Sequence, residues 1–324
     1  MTDLLVKNCL LSKNKDPQDI LIKGGIIRDI ASKITADNIP MIDADFHFVT
    51  PPFVDSHFHM DATLSYGLPR VNKSGTLLEG IKLWGELKPN LTADAIKERA
   101  LKFCKWAIAR GTLAIRSHVD VSGQNLVGVE ALLDVRETMK DFIDIQLVAF
   151  PQDGLLRANC LDNLNTALDM GVDVVGGIPH FERTMEEGHE SIRILCEIAE
   201  KRGLLTDLHC DETDDPMSRH VEKLALETTR LGLKGRVAGS HLTSMHSIDN
   251  YYFTKLISLL VEADLNIIAN PLINITIQGR QDNYPKRRGL TRIPEQLNAG
   301  LKVAFGHDCV MDPWYPLGSH DMLE

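Results

Sequence analysis

His57 and His59 stand one residue apart in the stretch PPFVDSHFHMD. In a β-strand residues i and i+2 project to the same side, so both imidazoles can reach one cation. By itself an H-x-H is equally a pair of hydrogen-bonded histidines at a barrel mouth. The pattern gains weight further along, where His209, His241 and Asp308 each close an otherwise apolar run. Imidazole and carboxylate donors together suit Zn²⁺ or Fe²⁺. One such divalent ion with an open position lowers the pKa of water toward about 7, which is the chemistry of hydrolysis at neutral pH. Glu212, three residues past His209, is placed to shuttle a proton; its structural alternative is a carboxylate at a helix start. Gln152 offers both a donor and an acceptor, the complement of an amide-like ring edge, or else caps loop backbone. His118 and His180 also end strands but lack a matched partner spacing, which favours supporting or core roles. His189 and His220 fall on helices expected to be solvated, and Lys286-Arg287-Arg288 reads as solvated surface.

A repeated strand-and-helix pattern positions these residues. Candidate strands run over 53–59, 112–120, 144–150, 172–180, 204–212, 236–243, 265–271 and 301–308. Amphipathic helical stretches lie between them. Over 92–110, Thr92 can cap, Ile96, Leu101, Cys104 and Ile108 recur on one face, and Gly111 stops the turn; similar stretches run near 189–202, 218–231 and 249–263. Eight parallel strands at a spacing of roughly 30 residues predict an α/β fold, a (β/α)₈ TIM-type barrel with its site at the carboxyl ends of the strands. Residues 1–50, with LLVKNCLLS, DILIKGGIIRDIA and FHFVT as short strands and a turn at Gly24-Gly25, form a separate small β element ahead of a barrel over 51–324. Only residues 309–324 follow the eighth strand, so a barrel lacking its last helix, on a chain shortened at its C-terminus, is expected.

Composition narrows the function. The 324 residues are 44% hydrophobic and 25% charged, which gives ample core material and excludes disorder. A net charge of −10 disfavours nucleic acid and anionic lipid as partners. No window approaches the ~18 uninterrupted apolar residues of a membrane span; LISLLVEADLNIIA carries Glu262 and Asp264, and the N-terminus lacks the architecture of a secretion signal. A cytoplasmic location is expected. The six cysteines are scattered, none in a C-x-x-C pair, and are expected to be free thiols.

PPFVDSHFHMD, HCDE, the strand end at His241 and FGHD together resemble the signature of the amidohydrolase superfamily. VDVVGGIPHFE, LHCDETDD, ANPLINITIQGR, YPKRRG and HDCVMDPWYPLG are similar to the bacterial cytosine deaminases, and the resemblance runs over essentially the whole chain. It implies one divalent metal ion held by His57, His59, His209 and Asp308, with Glu212, His241 and Gln152 facing the substrate and Phe150, Trp314 and Leu77 packing on a planar base. In the implied reaction water attacks an amino-bearing ring carbon, oriented by His241; Asp308 takes its proton, and Glu212 protonates the ring nitrogen and then the leaving amine. A free aminopyrimidine, cytosine or isocytosine-like, would give uracil and ammonia, a step of pyrimidine salvage. The family builds a small β-sandwich from both chain ends, which makes residues 1–50 half of one, and its members are oligomeric, which implies a homo-oligomer.

One position departs from that family. Where the cytosine deaminases read H-D-D, this chain reads His307-Asp308-Cys309. A carboxylate accepts strong hydrogen bonds and a thiol does not, so cytosine is retained or the preference moves to an isomer such as isocytosine. The rival within the superfamily is a cyclic-amide hydrolase, many of which bridge two metals with a carbamylated lysine at the fourth strand. No lysine occurs between Gln152 and Lys201, which favours a single ion. A catalytically inactive metal- or ligand-binding relative is the alternative from another class. The H-x-E with P-C-x-x-C of zinc deaminases that edit nucleic acid is missing, since no P-C-x-x-C occurs.

Overall fold

The computed structural model describes residues 3–14 and 16–324, which divide into two compact units, Met1–Pro52 and Phe53–Glu324. The first holds a four-stranded sheet of β1 (Leu4–Cys9), β2 (Gln18–Lys23), β3 (Ile26–Ala31) and β4 (Met41–Asp43) in the order β3-β2-β1-β4. β2 and β3 form an antiparallel hairpin across Gly24-Gly25, whose φ angles of 61° and 77° are the left-handed values a two-residue hairpin turn demands. The expected strand FHFVT is corrected. Asp45 and Phe46 turn to φ 47° and 60°, with the Asp45 amide donating to the Asp43 carboxylate, so extension stops at Asp43. The pairing strand is therefore Met41–Asp43, parallel to β1, and only Phe48 of FHFVT bridges, to Leu10.

The second unit is an eight-stranded parallel sheet in sequential order: β5 (Phe53–Phe58), β6 (Thr112–Asp120), β7 (Asp144–Phe150), β8 (Val174–Gly177), β9 (Leu205–Cys210), β10 (Val237–His241), β11 (Asn266–Ala269) and β12 (Lys302–Phe305). A parallel bridge between Phe58 and Asp308 joins the two ends of the sheet. There the Asp308 amide donates to His57 O at 2.8 Å and the His59 amide to Asp308 O at 3.0 Å. Gly306 permits this approach, because a Cβ at that position would lie 2.6 Å from the Cβ of His57. The result is the TIM-type barrel the strand spacing predicts.

Helices α1 (Leu77–Leu87), α2 (Ala93–Ala109), α3 (Val127–Met139), α4 (Cys160–Asp169), α5 (Met185–Arg202), α6 (His220–Arg230), α7 (Asn250–Glu262), α8 (Pro271–Ile277) and α9 (Ile293–Asn298) lie between the strands. Side-chain hydroxyls begin α1, α2 and α5, where Thr76, Thr92 and Thr184 accept from the amide three residues on. On α2, Ile96, Ala100, Phe103, Cys104 and Ala107 are buried, and Phe103 stacks on Phe58 of β5 with ring centroids 4.1 Å apart. His220 is a correction. It lies on α6 but is buried, because Asp211 takes hydrogen bonds from its backbone amide and lies 2.9 Å from its Nδ1. All six cysteines are free and buried. Among the described residues no helix is long and apolar enough to cross a membrane.

Candidate active site

The carboxyl ends of the strands gather the polar residues. His57 lies in the last turn of β5 and His59 directly after it, His209 near the end of β9, and Asp308 three residues past β12. One ligand atom from each falls within 4.8 Å of the others. His209 Nε2 is 3.2 Å from His57 Nε2 and 3.0 Å from His59 Nε2. Asp308 Oδ1 lies 3.0 Å and 3.3 Å from the Nε2 atoms of His57 and His59. That oxygen is buried with no hydrogen-bond partner among the described residues. Three imidazole nitrogens and a carboxylate oxygen aimed at one point fit a divalent ion of the zinc or iron type. Asp308 itself has φ 66° and His241 φ 72°, left-handed backbone at the two residues whose side chains must turn inward.

Beside this cluster stand Glu212 and His241, with His241 Nδ1 3.2 Å from Glu212 Oε1 and His241 Nε2 3.9 Å from Asp308 Oδ1. Burial, reinforced by the charge of Asp308, pushes the Glu212 carboxyl well above the usual range, which favours its protonated form. Burial acts the same way on Asp308, but the His57 and His59 contacts outweigh it and hold that group well below the usual range. Two neighbouring carboxyls are thus driven in opposite directions. Two asparagines missed by the sequence reading hold the pair in place. Asn274 Nδ2 donates to Glu212 Oε1 at 3.2 Å and lies 3.1 Å from His241 Nδ1, while Asn270 Nδ2 lies 3.2 Å from His241 Nε2. Their spacing of four residues at the start of α8 was the available signal, since it puts both amides on one helix face.

A cleft above the cluster is lined by His59, Leu77, Gln152, Glu212, Cys309 and Trp314, together with three isoleucines, Ile178, Ile273 and Ile277. Gln152 is buried, with its side chain in the lining of this cleft. Trp314 rests on α1 against Gly80, where a Cβ would fall 2.2 Å from the indole. Asp312 fixes the Trp314 turn by accepting from the amides of Trp314 and Tyr315, both at 2.9 Å, and burial pushes its carboxyl up to about 7. Burial also raises the Cys309 thiol well above its usual range, with the charges of Asp308 and Asp312 adding to the effect, so it meets the cleft uncharged.

Phe150 does not line the cleft. It lies behind the cluster and stacks on His209 with centroids 4.0 Å apart, holding that ring rather than a ligand. His118 is fully buried with its ring 4.1 Å from that of His57, and His180 Nδ1 lies 3.1 Å from His209 O. Lys286 and Arg288 are exposed, whereas Arg287 is ion-paired to Asp282 and bonded to Asp214 O.

Comparison with known proteins places this architecture. The profile of the amidohydrolase family matches residues 41–324. The crystal structure of 5-methylcytosine deaminase from Klebsiella pneumoniae liganded with phosphonocytosine superposes with a TM-score of 0.95 at 41% identity, over 98% of this chain and 78% of that one. An N-isopropylammelide isopropyl amidohydrolase of Pseudomonas sp. (strain ADP) is 30% identical over 99% of this chain and 78% of its own length. A pterin deaminase of Rhizobium rhizogenes is 29% identical over 94% of this chain and 70% of its own.

Proposed function

Because the chain belongs to the amidohydrolase family, a family of hydrolases acting on C–N bonds, we propose that it is a metal-dependent hydrolytic deaminase of a free aminopyrimidine base. One observation carries the reading: Glu212 and His241 stand beside the four-donor cluster of His57, His59, His209 and Asp308, and Glu212 and Asp308 face the same cleft. His57, His59, His209 and Asp308 would hold one ion, zinc or iron. When bound, it supplies the Lewis acidity that makes water a competent nucleophile at neutral pH.

The remaining work falls to side chains. Asp308 accepts the proton of the attacking water. His241, pinned by Asn270 and Asn274, orients that water. Glu212 delivers its proton to the ring nitrogen beside the attacked carbon, recovers one from the added hydroxyl as the carbonyl forms, and passes that second proton to the departing amine, which leaves as ammonia; the proton held by Asp308 then returns to Glu212 and resets the pair. Gln152 reads the O=C–N–H edge of the ring with its own amide. Trp314 and Leu77 enclose the flat base and keep bulk water out.

Cys309 sets the substrate within that class. A small, uncharged and weakly polar thiol beside Ile273 and Ile277 gives an apolar wall where a carboxylate would demand a donor. Such a wall tolerates an alkyl group on the ring, and the Klebsiella neighbour at 41% identity is a 5-methylcytosine deaminase. We place 5-methylcytosine beside cytosine as the substrate, ahead of isocytosine. The net charge of −10 favours free bases over polynucleotides. A cytoplasmic homo-oligomer completes the reading.

Ammonia release by metal-loaded protein from cytosine, 5-methylcytosine, isocytosine and creatinine tests it. Release from the first two is expected, and Cys309→Asp should shift the ratio toward unsubstituted cytosine. Ring opening without ammonia would instead identify a cyclic-amide hydrolase, and bound metal with no turnover a binding protein.

A further inference from the structure

Below the four donors, side chains from five strands form a buried hydrogen-bonded line that the reaction does not use. Ser240 on β10 places its Oγ 3.0 Å from His57 Nδ1 and 2.6 Å from Asp207 Oδ1. Asp207, on β9, accepts through Oδ2 from the Arg116 guanidinium of β6 at 2.9 Å, and the Arg116 Nε donates to Gln146 of β7 at 2.8 Å. His57, Ser240 and Asp207 are each 0% exposed, so water does not compete along the line. Its far end is less enclosed. Arg116 and Gln146 border a cavity of about 650 Å³ that also touches Val54, Thr206 and Lys302, at the amino ends of the strands and away from the cleft.

Chemistry fixes the direction of every bond in this line. A guanidinium only donates, and the Asp207 carboxylate facing it only accepts. Asp207 therefore takes the single proton of the Ser240 hydroxyl. Ser240, with that proton committed, can meet His57 Nδ1 only as an acceptor. Nδ1 must carry the hydrogen, and the lone pair is left on Nε2, the nitrogen 3.0 Å from Asp308 Oδ1 and 3.2 Å from His209 Nε2.

We infer that Arg116, Asp207 and Ser240 are positioning residues that set the tautomer and ring orientation of His57, presenting its Nε2 lone pair to a divalent ion. The inference rests on the metal-binding reading of His57, His59, His209 and Asp308. His57 is the ligand governed in this way: the corresponding Nδ1 of His209 is buried with no partner among the described residues. A single hydroxyl thus controls one of the four donors, and partners of this kind typically govern metal affinity by about 10–100-fold.

The test uses the full chain with Zn²⁺ as the probe, titrated against a chromophoric chelator, and ¹⁵N spectra of its histidines before and after zinc removal. Wild type is expected to show His57 protonated on Nδ1 in the zinc-free chain. Ser240→Ala removes one oxygen from the interior; it should mix the two tautomers and weaken zinc binding by about 10–100-fold. Ser240→Thr, which returns a hydroxyl, should restore both. Zinc binding by Ser240→Ala equal to wild type, or a wild-type His57 protonated on Nε2, overturns the inference. A wild-type chain that fails to hold zinc overturns the metal reading, while the tautomer in the zinc-free spectrum still decides what the line does.

Discussion

In the proposed reaction Glu212 and Asp308 supply an acid and a base from the same functional group. Both are buried, but His57 and His59 surround Asp308 while Glu212 faces an asparagine amide and the negative charge of Asp308. Replacing Glu212 by Gln keeps the shape and the Asn274 contact but removes the transferable proton. The expected outcome is a fall in kcat of about 10²–10⁴-fold with metal content unchanged, read by ammonia release and elemental analysis on the same preparation. The donors were legible in the sequence because His57, His59, His209 and Asp308 interrupt apolar runs, and an isolated polar residue at a strand end has few structural uses. Asn270 and Asn274 were not, since what they hold lies on other strands, 62 residues away for Glu212 and Asn274. Phe150 was read as a wall of the cleft, but packing put it behind His209, a distinction between two apolar surroundings that residue type does not carry.

At the scale of elements, α1 matters most, because it brings Leu77 to the cleft and Gly80 under Trp314. Thr76 caps its first turn by accepting from the Glu79 amide, and the Glu79 carboxylate accepts from the Ser74 amide and from Arg70. Hydrogen bonds from Ser74, then from Arg70, lower the Glu79 carboxyl to about 2 from its usual 4.5. A depressed carboxyl stabilises the fold above its unfolded pKa, and that contribution disappears as pH falls from about 4.5 to about 2. Protection of the α1 amides, taken relative to unstructured peptide at each pH, should fall over that interval in wild type. In Glu79→Gln, α1 should already exchange faster at pH 6 and show a flatter response; an unchanged profile would remove Glu79 from the account. Every barrel strand was readable from its apolar run within a few residues, because parallel strands buried on both faces carry a dense hydrophobic signal. FHFVT misled for the complementary reason: its aromatic and β-branched residues suit a strand, but the left-handed turn at Asp45 and Phe46 is set by backbone contacts that composition does not reveal.

For the molecule as a whole, a bound ion couples the chemistry to the fold, since it would tie β5, β9 and the segment after β12 together in the native state alone. At free metal about 100-fold above Kd this linkage is worth about 2.7 kcal/mol. Chelation should then lower the Tm by roughly 4 °C for a chain of this size, followed by calorimetry with and without chelator. An unchanged Tm in protein shown to have lost its metal would separate the ion from stability. The seam between the first and last barrel strands has a further consequence for biosynthesis. The peptide groups that stitch it belong to His57, His59 and Asp308, so the last donor is translated some 250 residues after the first. A ribosome that has not yet released Asp308 from its exit tunnel holds a nascent polypeptide with three donors and an open sheet edge. The four-donor set is therefore complete only once the seam has closed.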